Sequence, residues 1–129
     1  MAFLKYKELT QYFNFFKEIE FKDVPDYIKD YITDKEKALA IYKTYRDHGV
    51  FTNKKIILFD QKGTGNIKEI TIIPYCSISS CSIKFFLGSA DILMYLDSGY
   101  PLRLRFVKLK PEDKRRLRIL YNNICEEII

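Results

Sequence analysis

The stretch that decides the fold of this chain is residues 46–79, RDHGVFTNKKIILFDQKGTGNIKEITIIPYCSIS. Two β-rich segments, 56–60 and 67–73, flank a loop at 61–66 that contains two glycines. Glycine tolerates the positive φ of tight turns, so the pattern predicts a β-hairpin. Pro74 lacks an amide donor and ends the second strand. The order indicates a small barrel or sandwich rather than a nucleotide-binding α/β enzyme.

Further strands are predicted on both sides of this hairpin. Apolar, aromatic and β-branched residues are concentrated at 38–45, 81–87, 91–97 and 100–107, and turn residues separate these runs. In the last run Leu102, Leu104 and Phe106 alternate with the arginines 103 and 105. This alternation is typical of a half-buried strand whose arginines face solvent.

Helices are predicted at the two ends of the chain. Apolar residues recur at helical spacing in the N-terminal region, namely Leu9, Tyr12, Phe13, Phe16 and Ile19, and 10–20 contains no Gly or Pro. A second short helix is predicted to begin near Pro25. A C-terminal helix is predicted to begin at Pro111 and to bury an apolar stripe, Leu117, Leu120, Tyr121, Ile124 and Ile128.

Length and composition fit one globular unit. The chain has 129 residues, of which 47% are hydrophobic, with ten Tyr, ten Phe and no Trp. This composition argues against disorder, and a core can form without disulfides. We expect an N-terminal helical extension at 1–34 and a barrel at 35–129.

Charge and cysteine content suggest a cytoplasmic protein. The net charge is +5, with +1 on residues 1–60 and +4 on residues 61–129. Cys76, Cys81 and Cys125 form no disulfide framework, so free thiols in a reducing compartment are the favoured interpretation. The sequence shows neither a signal peptide nor an apolar run long enough for a transmembrane helix.

The order of about seven strands and one C-terminal helix, together with three motifs, resembles the bacterial pleckstrin-homology (PH) domain proteins. The motifs are RDHGVFTNKKIILFDQKG, IPYCSISS and LRLRFVK. The residues that match the family pattern are Arg46, Asp47, Phe51, Thr52, Asn53, Lys54, Lys55, Ile73, Pro74, Tyr75, Ser77 and Ile78. The resemblance covers about residues 35–128. It implies an α+β fold, with a PH-like barrel or split barrel of about seven antiparallel strands, a capping C-terminal helix and preceding N-terminal helices. It also implies a non-catalytic module that assembles into symmetric oligomers.

The residues indicate no catalytic site, no metal site and no cofactor. His48 is the only histidine, and no Ser or Cys motif places a nucleophile beside it. The Gly-x-Gly at residues 63–65 lacks the rest of a phosphate-binding fingerprint and a following helix. A specific phosphoinositide site at Lys43, Arg46, Lys54 and Lys55 is disfavoured, because these residues do not form a Lys-x-(Lys/Arg)-x-Arg pattern.

Two interaction surfaces are predicted instead. A basic patch would attract acidic lipid headgroups or other polyanions, without specific nucleic-acid recognition, through Arg103, Arg105, Lys108, Lys110, Lys114, Arg115, Arg116 and Arg118. A solvated helix face is the alternative for these charges. Excess N-terminal aromatic surface would form a protein interface through Phe13, Phe15, Phe16 and Phe21. The leading hypothesis is a module for self-assembly or contact with another protein, and the second is a peripheral binder of anionic membranes.

Overall fold

Two β-sheets share one hydrophobic core in the computed structural model, which describes residues 13–62 and 67–128. The five-stranded sheet contains β2 (Lys17–Ile19), β3 (Ala38–Lys43), β4 (His48–Thr52), β5 (Lys55–Lys62) and β6 (Ile67–Pro74), in the order β2-β3-β4-β5-β6. The four-stranded sheet contains β1 (Asn14–Phe15), β7 (Ile78–Phe85), β8 (Ala90–Leu96) and β9 (Pro101–Phe106), in the order β1-β9-β8-β7. Strands β3 and β5 to β9 match the six segments predicted as strands, whereas β4 begins at His48 within residues 46–49, which the pattern predicts as a turn. Together they make the seven strands that the resemblance implies and confirm that part of the fold.

Two helices accompany the sheets. The short α1 (Asp26–Lys29) follows Pro25, as predicted, and α2 (Pro111–Ile128) closes the chain. Side chains of α2 enter the shared core at Leu117, Leu120 and Ile124, which confirms the predicted apolar stripe. On the opposite face of the five-stranded sheet, Val24 and Ile28 join a second core cluster, so that sheet is covered on both faces.

The predicted N-terminal helix at 10–20 is wrong for the residues that the structure describes. Phe13 and Phe15 point inward while Asn14 is exposed, which is the two-residue period of a strand. Strand β1 pairs in parallel with β9, and β2 pairs antiparallel with β3. The remaining predicted residues of this helix, 10–12, and Leu9 lie outside the described residues. The N-terminal segment thus adds a strand to each sheet instead of a helix beside the barrel.

Phe15 occupies the centre of the aromatic core. Its ring centroid lies 5.3 Å from that of Phe106 and 6.0 Å from that of Tyr42. The ring also lies over Gly49 of β4, where a Cβ atom would come within 2.5 Å of the Phe15 Cζ atom. Gly49 is therefore required by the close approach of an aromatic ring across the core.

The two most specific sequence motifs meet at one corner of the fold. The buried Tyr75 hydroxyl donates to the Thr52 carbonyl oxygen at 2.7 Å, and the Tyr75 amide donates to Lys54 O at 3.2 Å. The Thr52 hydroxyl oxygen accepts hydrogen bonds from the amides of Lys54 and Lys55, each at 3.0 Å. These bonds close the β4–β5 turn and fix the connection from β6 to β7.

Glu36 links this corner to the loop before β3. Its carboxylate accepts hydrogen bonds from the Thr52 hydroxyl at 2.7 Å and from the Thr33 amide at 3.1 Å, and it lies 2.9 Å from Lys55 Nζ. Burial alone would raise the pKa of Glu36, but the bonds from Lys55, Thr52 and Thr33 outweigh it and lower the pKa to about 2. The ionised form of Glu36 therefore stabilises the fold.

We expect Gly49→Ala to lower the free energy of unfolding by about 1–3 kcal/mol, because the Phe15 ring has no space to move. Urea unfolding followed by circular dichroism measures the change. Gly88→Ala is the matched control, since a Cβ atom there meets nothing within 4 Å. Equal stability of the two variants would contradict this account of Gly49.

We expect Glu36→Gln to lower the free energy of unfolding by about 1–3 kcal/mol at neutral pH, because the ion pair and charged hydrogen bonds are lost. The pKa of Glu36 is lower in the folded state, so its contribution is complete above the ordinary value of 4.5 and disappears as the pH falls towards about 2. The difference in the free energy of unfolding between Glu36→Gln and the wild type should become smaller as the pH falls through this range. Denaturant titration at several pH values measures it. A constant difference would refute the assignment. Glu126→Gln, at an exposed position on α2, is the control.

Candidate interaction surfaces

The eight predicted anion-binding residues do not form one uniform patch. Arg103 and Arg105 project outward from β9, as predicted. Arg105 makes a bidentate pair with Asp91, with Nε–Oδ1 at 2.8 Å and Nη2–Oδ2 at 3.0 Å. The hydrogen bond from Arg105 lowers the pKa of Asp91. The structure therefore commits Arg105 to a cross-strand ion pair, whereas Arg103 is exposed.

Arg116 is also committed to an ion pair within the chain. Its guanidinium group binds Glu18 of β2 at 2.8 and 2.6 Å, and this hydrogen bonding raises the pKa of Arg116. The pair joins α2 to the edge strand of the five-stranded sheet. Since both partners are at the surface, its contribution to stability is small, but its geometry holds the start of α2 against β2.

The remaining basic residues lie in different surroundings. Lys114 Nζ donates to the carbonyl oxygens of Phe86 and Leu87 at 2.7 and 2.9 Å. Lys108 Nζ lies 5.4 Å from the ring centroid of Phe16. Lys110, Arg115 and Arg118 are exposed. The structure brings Lys114 and Arg118 near the β7–β8 hairpin, and it places Lys108 and Arg116 beside a groove between β2, β3 and the start of α2.

For two of the four predicted interface residues, the prediction of a partner contact is wrong. Phe13 and Phe15 are buried in the core of their own chain, so they cannot present a surface to a partner. Phe16 is half-buried and stacks near Tyr45, with ring centroids 4.7 Å apart. Phe21 is exposed beside Lys29. The excess aromatic content of the N-terminal segment is largely used by the core, because the segment forms strands.

The groove between β2, β3 and α2 has a volume of about 640 Å³. Its wall contains the paired Glu18 and Arg116, and Tyr42, whose pKa is raised by burial. Within residues 13–62 and 67–128, no set of three or more His, Cys, Asp or Glu side chains is placed to hold a metal ion. The groove lining thus combines the Glu18–Arg116 ion pair, apolar walls and further charged residues, and it offers no nucleophile with an adjacent base. These charged residues are Lys17, Glu20, Lys108, Lys110 and Asp113.

His48 is placed differently from the predicted turn. It begins β4 and pairs with Lys43 and Phe59. Burial, followed by the nearby charge of Lys43, lowers the pKa of His48 and keeps the imidazole neutral near pH 7. Its Nδ1 atom is buried and has no hydrogen-bond partner among the described residues.

A sheet edge that the sequence analysis did not single out is open. Strand β6 has eight residues and pairs with β5 on one side, and no strand in the described part of the chain pairs with its other side. Ile72 of β6 is 46% exposed. Of the other outer strands, β1 and β2 have only two and three residues, and β7 is partly covered by α2, whose Tyr121 hydroxyl donates to Cys81 O at 3.0 Å. Alternation predicts that β6 exists, but it cannot tell that β6 is an outer strand.

A second exposed apolar feature is the tip of the β7–β8 hairpin. Phe85, Phe86 and Leu87 are all exposed there. The prediction assigned these residues to a strand that ended at residue 87, whereas β7 ends at Phe85. The break in alternation at the run FFL, just before Gly88, was the available signal for this tip.

No helix in the described ranges has both the length and the apolar character needed to cross a bilayer.

The comparisons with solved structures show the fold. A protein of the DUF1696 family with a pleckstrin-homology domain from Shewanella loihica PV-4 superposes with a TM-score of 0.70 and 22% identity, over 92% of this chain and 100% of that one. A pleckstrin homology domain from Shewanella amazonensis SB2B gives a TM-score of 0.61 and 20% identity, over 98% of both chains. A PH-domain-containing protein from Exiguobacterium sibiricum 255-15 superposes with a TM-score of 0.66 and 16% identity, over 86% of this chain and 61% of that one.

Sequence comparison gives the family. The chain is 48% identical over 50 residues to the uncharacterized protein YjqA of Bacillus subtilis (strain 168), a match that spans 38% of this chain and 40% of that protein. The family model described as "Bacterial PH domain" matches residues 9–123, which is most of the chain. The chain therefore belongs to the bacterial PH domain family, and its structure has the fold of the solved PH-domain proteins.

Proposed function

We propose that this protein is a non-catalytic interaction module that self-assembles through the outer edge of β6. The observation that carries the proposal is that β6, an eight-residue strand, pairs only with β5 among the described strands, whereas the equally long outer strand β7 is partly covered by α2. PH domains are typically interaction modules, and the described residues offer no nucleophile with an adjacent base. The free thiols of Cys76, Cys81 and Cys125 fit a cytoplasmic location.

An open edge strand is a template for strand addition. Its outward N–H and C=O groups can bond a strand from another chain, and its side chains set the register. Ile72 is 46% exposed although its cross-strand neighbour Ile57 is buried. A second strand laid beside β6 would extend the apolar face on which Ile70 and Ile72 lie.

A second copy of the same strand is a suitable partner. The sequence of β6 contains one lysine and one glutamate, so two copies carry no net charge against each other. Antiparallel pairing of identical strands also satisfies two-fold symmetry, in which the same surface serves both subunits. Pro74 at the end of β6 lacks an amide donor and limits the length of such a ladder.

The alternative, an anionic-membrane binder that uses the whole C-terminal basic patch, has weaker support. Arg105 and Arg116 are paired with Asp91 and Glu18, and Lys114 is bound to backbone carbonyl oxygens. These partners reduce the charge available to a ligand.

We expect the protein in solution to have a mass that is a multiple of 15.4 kDa at both low and high salt, because pairing of backbone groups and apolar contacts are weakly screened. Ile72→Lys should shift the mass towards the monomer, because a charge on an edge strand opposes strand addition. Light scattering at several protein concentrations measures both.

Ile119→Lys is the matched control for this experiment. Ile119 is 52% exposed on α2, and its substitution by lysine adds the same charge away from the β6 edge. A monomeric wild type in both salts would overturn the proposal. So would an oligomer that Ile72→Lys and Ile119→Lys leave equally intact, provided that circular dichroism shows both variants folded.

A further inference from the structure

The β7–β8 tip, defined as residues 85–88, presents apolar side chains to solvent between cations. Leu87 is 99% exposed, and Phe85 and Phe86 are each 38% exposed. We propose that this tip inserts into the interfacial region of an anionic lipid bilayer. The site differs from the β6 edge and lies on the other sheet, so the proposal stands independently of self-assembly.

The carbonyl groups at the tip have hydrogen-bond partners within the protein. The carbonyl oxygens of Phe86 and Leu87 accept hydrogen bonds from Lys114 Nζ, and that of Gly88 accepts one from the Leu109 amide at 3.0 Å. The Phe86 amide donates to Ser89 O at 2.8 Å and closes the turn. A segment that enters the apolar part of a bilayer must have its polar groups satisfied within the protein. These bonds satisfy the carbonyl groups while the side chain of Leu87 remains outside.

Cations stand on both sides of the aromatic rings of the tip. On the sheet side, Lys84 Nζ lies 5.3 Å from the ring centroid of Phe86. On the helix side, Arg118 Cζ lies 5.9 Å from the ring centroid of Phe85. Apolar side chains flanked by Lys and Arg match the boundary of an anionic bilayer, where acyl chains meet negative headgroups.

The acidic group nearest to this arrangement in the strand register is neutralised. Asp91 stands between Lys84 and Arg105 on neighbouring strands. Its carboxylate is held by both guanidinium nitrogens of Arg105 described above. Residues 84–90 contain no acidic side chain. Lys84, Lys114 and Arg118 at the tip outnumber the acidic Glu112 and Asp113 at the start of α2. The net charge around the tip is therefore positive, and a negatively charged surface is the complementary one.

The shape of the tip favours a bilayer over a protein partner. Stable protein interfaces bury about 800 Å² on each partner and fit shape to shape, whereas this feature is three side chains at one hairpin turn. A bilayer accepts a protruding apolar group without a complementary pocket, and the surrounding charges bind headgroups at the same time.

The absence of tryptophan from this chain allows a direct test. Leu87→Trp places one indole at the tip, and Tyr95→Trp places one at a 47% exposed position towards the other end of β8. Both proteins are mixed with vesicles of phosphatidylcholine that contain phosphatidylglycerol, and with vesicles of phosphatidylcholine alone. For Leu87→Trp we expect a blue shift of the tryptophan emission with the vesicles that contain phosphatidylglycerol and no shift with pure phosphatidylcholine. High salt should reverse this blue shift.

Co-sedimentation tests the unlabelled protein. Wild type should pellet with the anionic vesicles, Leu87→Asp should bind at least about tenfold more weakly because it loses the apolar insertion, and Tyr95→Asp should resemble wild type. Three results would overturn the proposal: no blue shift for Leu87→Trp, an equal shift for Tyr95→Trp, or equal binding of the two aspartate variants. A change of mass in Leu87→Asp without vesicles, with vesicle binding unchanged, would instead assign the tip to a protein contact and overturn it as well.

Discussion

The hydrogen bond from the Tyr75 hydroxyl to the Thr52 carbonyl oxygen determines where one sheet ends and the other begins. It is buried, so an unpaired carbonyl or hydroxyl there would carry the full cost of desolvation. Thr52 closes the β4–β5 turn, and Tyr75 starts the crossover from β6 to β7. Through this one contact the chain leaves the five-stranded sheet at a fixed residue. The strands on either side of this crossover, β6 and β7, are outer strands of their sheets.

The core of this small domain is completed by a segment that precedes the barrel strands. Phe15 fills the space above Gly49 and contacts the rings of Tyr42 and Phe106. Because the interior is close-packed, the aromatic rings of this segment have little freedom to serve elsewhere. The aromatic richness at Phe13 and Phe15 therefore reflects core packing and not a partner surface. The apolar groups used in the two proposals lie on β6 and at the β7–β8 tip, and single apolar side chains such as Phe21 and Ile119 are exposed elsewhere.

The distribution of charge shows why a count of basic residues overstates an anion-binding surface. Arg105 and Arg116 are held in bidentate ion pairs, and their charge is locally balanced by Asp91 and Glu18. Lys114 instead binds two neutral carbonyl oxygens, which occupy its donors without adding a negative charge at the tip. The difference between a balanced and an uncompensated cation is a matter of partners, and it separates structural basic residues from those available to a ligand.

The sequence by itself determined six of the seven strands β3 to β9, all except β4, together with the helix α2 and the corner motifs, because alternation, helical spacing and the chemistry of Pro, Asn and Gly act locally. The motifs of the sequence also indicated the family to which the chain belongs. Only the tertiary structure decided that residues 14–19 are strands, since their pairing partners are β9 and β3. It likewise decided that Arg116 is paired, with Glu18 98 positions away in sequence, and that Ile72 and Leu87 remain exposed. Exposure and pairing depend on which distant segments come together, and no local pattern contains that information.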